Sequence, residues 1–374
     1  MTYSDLNLNY NPFEDIVPSQ DNLHWAGMKR QKEQIEQIYK EAFERRTRQI
    51  ILNWGPWGGG KTFAAEYFTK MPKPTISSSE EKFISVIASA PQDGTDVIKS
   101  IIEKILATFS PEFLGKNIAE ATTHLGKDLL LKKIYDRIQN YEIANVIVNL
   151  CDPNSLHGSS HYNAGNLLLK YFYNSFDKKQ LSQLKINKPL KGNDDYLQFL
   201  AGVLIALTST SLEKKIFLWI DEMEQLFYYT AKQYRAISQI IRDLTDKVNE
   251  NFTVFLNLTL SENDINKINI LLGSALISRI NKDIRFRDLT IEDALIYCKD
   301  LINYASIEHL ENPYYPLNEN TLIELIKTLS KEKIIPREIN KLCYGFINFL
   351  KEESIEAVST DTIERYQKHL VNGN

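Results

Sequence analysis

Apolar positions along this chain follow two rhythms, and the point where one replaces the other divides it. From Lys29 to Arg46, Ile35, Ile38, Tyr39, Ala42 and Phe43 recur at helical spacing among charges, which predicts a helix with one buried stripe. The run Ile50-Ile51-Leu52, inside Arg48 to Gly55, is short, continuous and followed by glycines, the mark of a strand buried on both faces. A helix is predicted over Phe63 to Lys70, a second strand over Phe83 to Ala88 and a helix from about Thr95 to Thr108. Further on, a helix at Tyr196 to Leu207, a strand at Ile216 to Ile220, a helix at Ala231 to Val248 and a strand at Phe252 to Leu258 restore the alternation. Strands alternating with helices predict an α/β unit, a parallel sheet with helices on both faces. After Thr290 only helical periodicity remains, in Ile291 to Tyr304, Thr321 to Leu329, Arg337 to Leu350 and Thr362 to Leu370, so a small all-helical lid domain is expected to follow.

Two stretches break the pattern. Residues 1–28 read as an irregular arm, because Pro12, Pro18 and scattered Asn and Asp interrupt any period. Residues 110–193 read as an insertion, with helices expected at Leu129 to Ile138 and Leu167 to Phe176 and a strand at Val146-Ile147-Val148. The expected division is an arm (1–28), an α/β core (29–288) carrying the insertion, and the helical lid (289–374).

Composition narrows the class. The 374 residues are 43% apolar and 25% charged, enough for two or three cores. Lys and Arg number 44 against 48 acidic residues, so any contact with nucleic acid must use a local patch or a ring of subunits. No apolar run approaches the roughly 18 residues of a membrane span, and Met1-Thr2-Tyr3-Ser4-Asp5 lacks the character of a signal peptide; a cytoplasmic protein without membrane contact is expected. The three cysteines, Cys151, Cys298 and Cys343, lie far apart and argue against a disulfide framework. Cys151, His157 and His161, with Asp152, have a metal-like spacing, but without paired CxxC elements the segment reads as an ordinary polar loop.

The chemistry is concentrated at strand ends. Gly55-Pro56-Trp57-Gly58-Gly59-Gly60-Lys61-Thr62 matches GxxxxGK[ST] and lies between a buried strand and a helix opening with Phe63, the context in which backbone N–H groups and a helix N-terminus cradle phosphates. ATP and Mg2+ are the expected ligands, with Lys61 on the β- and γ-phosphates and Thr62 on the metal. The strand Lys215 to Ile220 ends in Asp221-Glu222. An acid at the end of a buried strand needs a partner; Asp221 is expected to organise the magnesium shell and Glu222 to act as general base on water. Asn257 interrupts the strand Phe252 to Thr259, where it or Thr259 bonds either a γ-phosphate or neighbouring backbone.

Together these residues resemble the AAA+ superfamily, above all its origin-recognition and archaeal-initiator branch, with a similarity to transposition regulators of the TnsC type. The resemblance covers residues 11 to about 70 and about 194 to 350. It implies that Asn11-Pro12-Phe13 and Trp25-Ala26-Gly27-Met28 form an arm touching adenine, that Asp221-Glu222 are Walker B acids and that Asn257 is sensor 1. It also implies that Arg279, in Ala275-Leu276-Ile277-Ser278-Arg279-Ile280, is an arginine finger reaching a neighbour's γ-phosphate, with Arg285 and Arg287 as rivals, and that Arg337, behind Pro336, is sensor 2. The resemblance therefore implies a homo-oligomeric ATPase acting on DNA or a DNA-bound complex; the alternative is an ATPase that controls a separate effector protein, as in defence systems. Two departures stand out: the insertion, and four helices after the core that leave no room in this sequence for a winged helix.

Overall fold

The computed structural model describes residues 1–13, 23–70, 82–91, 96–155, 160–261, 265–329, 334–356 and 358–372. Helix α1 (Lys29–Glu44) leads into strand β1 (Arg48–Gly55), helix α2 (Lys61–Lys70), strand β2 (Phe83–Ser89) and helix α3 (Val97–Ala107). Then come α4 (Pro111–Leu125), α5 (Lys127–Ile138), α6 (Tyr141–Cys151), α7 (His161–Phe172) and α8 (Lys178–Gln183), before α9 (Gly192–Thr208) returns the chain to strand β3 (Lys215–Asp221). Helix α10 (Ala231–Lys247), strand β4 (Phe252–Thr259), helix α11 (Ile265–Ile277) and strand β5 (Ile280–Arg285) complete the α/β part. Helices α12 (Ile291–Ala305), α13 (Glu319–Thr328), α14 (Pro336–Glu352) and α15 (Thr360–Asn372) follow.

The five strands form one parallel sheet in the order β2-β3-β4-β1-β5. Side chains alternate across each strand, and the sequence uses the two faces differently. Ile216, Leu218 and Ile220 of β3 join Val254 and Leu256 of β4 in the core under α3, α9 and α10. Phe217 and Trp219 point the other way, into an aromatic layer with Tyr39 of α1, Phe68 of α2 and Phe255 of β4. There Tyr39 stacks on Phe217 at 3.8 Å and Trp219 on Phe255 at 3.9 Å, contacts worth about 0.5–1.5 kcal/mol each beyond the area they bury.

Every regular element among the described residues of the insertion is a helix, which corrects the strand expected at Val146-Ile147-Val148. Those residues lie in α6, whose first turn is capped by the Asn140 side chain. Ile143, Ala144, Val146, Ile147, Val148, Leu150 and Cys151 are all buried; a helix covered on nearly every side has no polar stripe to display the 3.6-residue period, and its β-branched run then looks like a strand. Helices α4 and α7 touch backbone to backbone, since a Cβ on Gly115 would lie 1.9 Å from His161 O and one on Gly165 1.8 Å from Pro111 O. The insertion shares one continuous core with the sheet.

Helices α12 to α15 enclose a separate apolar cluster around Cys298, Ile326, Cys343, Phe346 and Leu350. Leu6, Leu8 and Phe13 of the N-terminal segment are buried in that cluster, and Leu8 forms an antiparallel bridge with Ser306. Among the described residues no helix is long and apolar enough to cross a membrane.

Candidate functional site

The register of the sheet brings the motif-bearing strand ends to one edge: Gly55 lies beside Thr259, and Ile220 beside Leu256, so Asp221 emerges within two residues of the same level. Beyond Gly55 the chain turns tightly. A Cβ on Gly55 would sit 2.0 Å from Phe286 O, and Gly58, at φ +76°, would place one 2.8 Å from Arg337 Cβ; neither position accepts a side chain. Helix α2 starts at Lys61, with Ala64 N donating to Gly60 O at 2.9 Å.

Lys61 is buried, and its Nζ donates to Gly55 O at 3.0 Å and Pro56 O at 2.7 Å. Burial lowers its ammonium from the ordinary 10.5 to about 8, against the opposing pull of the Glu224 and Asp221 carboxylates nearby. Asp221 is buried at the end of β3. Glu222 takes a left-handed backbone, φ +56°, and this reversal returns Glu224 to the sheet edge, where its carboxylate accepts the Thr259 N–H at 3.0 Å.

These groups line a cleft of about 340 Å³. Trp57, Gly58, Gly59, Gly60, Lys61, Thr62, Phe63, Asp221 and Glu222 form one wall, and Arg337 of α14 closes it from above. Gly55 and Pro56 stand behind that wall and hold Lys61 through their carbonyls. The Arg337 guanidinium lies over the Trp57 ring at 3.9 Å, and its backbone N donates to Gly58 O at 3.4 Å. At the far end come Asn11 and Pro12 with Tyr10, His24, Tyr297 and Tyr304; His24 stacks on Tyr304 at 4.2 Å, and Tyr297 Oη donates to Asn340 Oδ1 at 2.9 Å. Burial pushes the His24 imidazole down.

Asn257 and Arg279 are placed elsewhere. Asn257 is fully buried behind the loop, where its Nδ2 donates to Lys61 O at 3.2 Å and its Oδ1 accepts from Asn53 Nδ2 at 2.9 Å; Thr259, not Asn257, borders the cleft. Arg279 follows the end of α11, outside the cleft, in an ion pair with Asp246 of α10 at 3.0 Å and donating to Ala275 O at 2.9 Å. Arg285 lies over Trp54 at 4.7 Å, and Arg287 borders a different groove. At the metal-like spacing, Cys151 is buried with its thiol pushed up to about 12 and Asp152 is paired with Lys127 at 2.9 Å; His157 lies outside the described residues. Among the described residues no group of three His, Cys, Asp or Glu could hold a metal ion. Glu224 and the Tyr and His residues at the far end went unread in the sequence.

No protein-family model and no curated protein matches the sequence. Among solved structures, the ORC1 protein of Aeropyrum pernix, determined in complex with DNA, is similar over 97% of this chain and 69% of its own, with a TM-score of 0.50 and 11% identity. The fold is that of a P-loop NTPase. The C-terminal helical unit reaches the cleft through Pro336, Arg337 and Asn340 of α14.

Proposed function

We propose that this P-loop NTPase is an AAA+ ATPase of the initiator-like kind, an arm and an α/β core to about residue 288 with a helical lid beyond, which binds ATP with magnesium and hydrolyses it. The observation that carries the reading is the convergence on one cleft of the buried Lys61 amine, the Asp221 and Glu222 carboxylates and the Arg337 guanidinium. Lys61 and the loop N–H groups receive the phosphates. Thr62 and Asp221 supply the hard oxygen donors that magnesium takes, and the ion, when bound, neutralises charge on the phosphates. Glu222 accepts the proton of the attacking water. Asn257 supports Lys61 from behind, and Arg337, which lines the same cleft, is assigned to the phosphates of its own subunit. Arg279, on the outer surface, serves a neighbour's site, which makes the active form a homo-oligomer.

Glu222→Gln is expected to bind ATP and fail to turn it over; unchanged turnover removes Glu222 from its role. Lys61→Ala is expected to lose nucleotide binding, measured with a fluorescent ATP analogue. Arg279→Ala should lose turnover that mixing with Glu222→Gln partly restores, since each variant supplies what the other lacks; no rescue counts against a shared site.

ATP bound between subunits sets the oligomer and its affinity for DNA or a DNA-bound complex, and hydrolysis resets it. The likeness in fold to a protein determined in complex with DNA supports DNA as partner. The net charge of −4 favours the second reading, a switch acting on a separate effector protein. ATP-dependent, salt-sensitive DNA binding decides for the first; ATP-dependent binding to a protein without DNA decides for the second.

A further inference from the structure

The helical insertion carries a charge anomaly that the nucleotide cleft does not use. Between Lys170 and Lys191 the sequence has six lysines, Lys170, Lys178, Lys179, Lys185, Lys188 and Lys191, and a single acid, Asp177, in a chain whose net charge is −4. All six are exposed, and among the described residues none forms an ion pair. The nearby acids are engaged with neutral partners: Asp177 caps α8 by accepting the Gln180 N–H at 2.7 Å, Glu142 accepts both the backbone and side-chain N–H of Asn187 at 2.8 Å, Asp194 accepts from Gln198 at 2.6 Å and Asp195 accepts the Lys191 N–H at 2.7 Å.

The segment is also compact. It leaves the end of α7, forms α8 and returns, so that Asn174 Nδ2 donates to Leu190 O at 3.0 Å, Leu190 N donates back to Asn174 Oδ1 at 3.1 Å and Tyr171 Oη donates to Lys188 O at 3.3 Å. Ile186 and Leu190 are buried beneath it. The six ammonium groups are therefore carried on one anchored excursion rather than on a loose tail.

We propose that this lysine ridge docks the phosphodiester backbone of a nucleic acid. Exposed ammonium groups spread over a helix and its flanking loops, with no buried cation to build a pocket, fit an extended polyanion better than a single phosphate group. Lysine acts as a point charge without the planar fork of arginine, so the contacts read charge and not sequence. Tyr173, exposed within the same segment, offers a ring on which an unpaired base stacks. An anionic membrane is a poorer partner, because apart from Tyr173 the segment exposes no large apolar side chain. The proposal rests on the functional reading above only for its dependence on ATP.

The test is fluorescence anisotropy of the full chain with a labelled duplex and a labelled single strand of equal length, with a slowly hydrolysed ATP analogue, at low and moderate salt. Binding is expected to weaken steeply with salt. The combined K178E, K179E and K185E variant should lose at least tenfold in affinity while binding the ATP analogue as the unaltered chain does, and the corresponding Lys→Gln variant should lose less. Preference for the single strand, lowered by Tyr173→Ala, assigns the aromatic ring to base stacking; equal loss on both substrates assigns binding to the backbone alone. Unchanged affinity in the Lys→Glu variant overturns the ridge as the docking surface, as does equal displacement by polyglutamate at matched charge, which points to an acidic protein. Loss of analogue binding in Lys61→Ala tests the nucleotide site separately, so the two failures are distinguishable.

Discussion

Lys61 shows how one buried residue couples binding to pH. Its ammonium titrates near 8 in the folded chain against 10.5 ordinarily. Below about pH 8 it is charged in both folded and unfolded chains; between about 8 and 10.5 only the unfolded chain holds the proton, so the folded state gains stability as pH rises through that window. A triphosphate favours the charged amine, so its binding takes up a proton above pH 8, and affinity is expected to fall by up to about tenfold per pH unit. Dissociation constants measured at about pH 7, 8 and 9 check this, and a flat profile would mean that Lys61 does not meet the ligand. Asn257 is a second residue-scale test. Asn257→Ala strands the Asn53 amide and removes the bond to Lys61 O, an expected loss of about 1–3 kcal/mol in chemical denaturation.

At the scale of elements, the glycine contacts between α4 and α7 hold the insertion together. Gly115→Ala must displace His161 backbone, not a pliable side chain, and is expected to cost about 1–3 kcal/mol or more; a melting curve unchanged from the parent would mean that the two helices do not meet as described. The element scale also shows what the sequence discloses. Four of the five strands are legible because each is a short apolar run, and the loop from Gly55 to Thr62 because its spacing is a mechanism in itself; β5, with Asn281, Lys282, Asp283 and Arg285 among its six residues, has no such run to announce it. The insertion resists reading because α6 buries Ile143 through Cys151 almost without a polar face. Glu224 stays hidden for another reason. It reaches the sheet edge only because Glu222 adopts φ +56°, a backbone conformation uncommon outside glycine and asparagine that no side-chain pattern announces.

For the whole molecule, the proposed service of Arg279 to a neighbour's site predicts that turnover depends on protein concentration; mass measurement with and without a slowly hydrolysed ATP analogue should show larger species with it, and a monomer active at high dilution would exclude a shared site. The N-terminal segment matters here as well. Leu6, Leu8 and Phe13 are buried among α12 to α15, while Ala26 and Met28 border the cleft that Arg337 also touches. The arm thus sits inside the core of the helical unit at one end and borders the cleft at the other, just before α1 begins. A change at Leu6, Leu8 or Phe13 is therefore expected to act on the helical unit that carries Arg337, and so on the cleft, without altering any residue of the glycine loop.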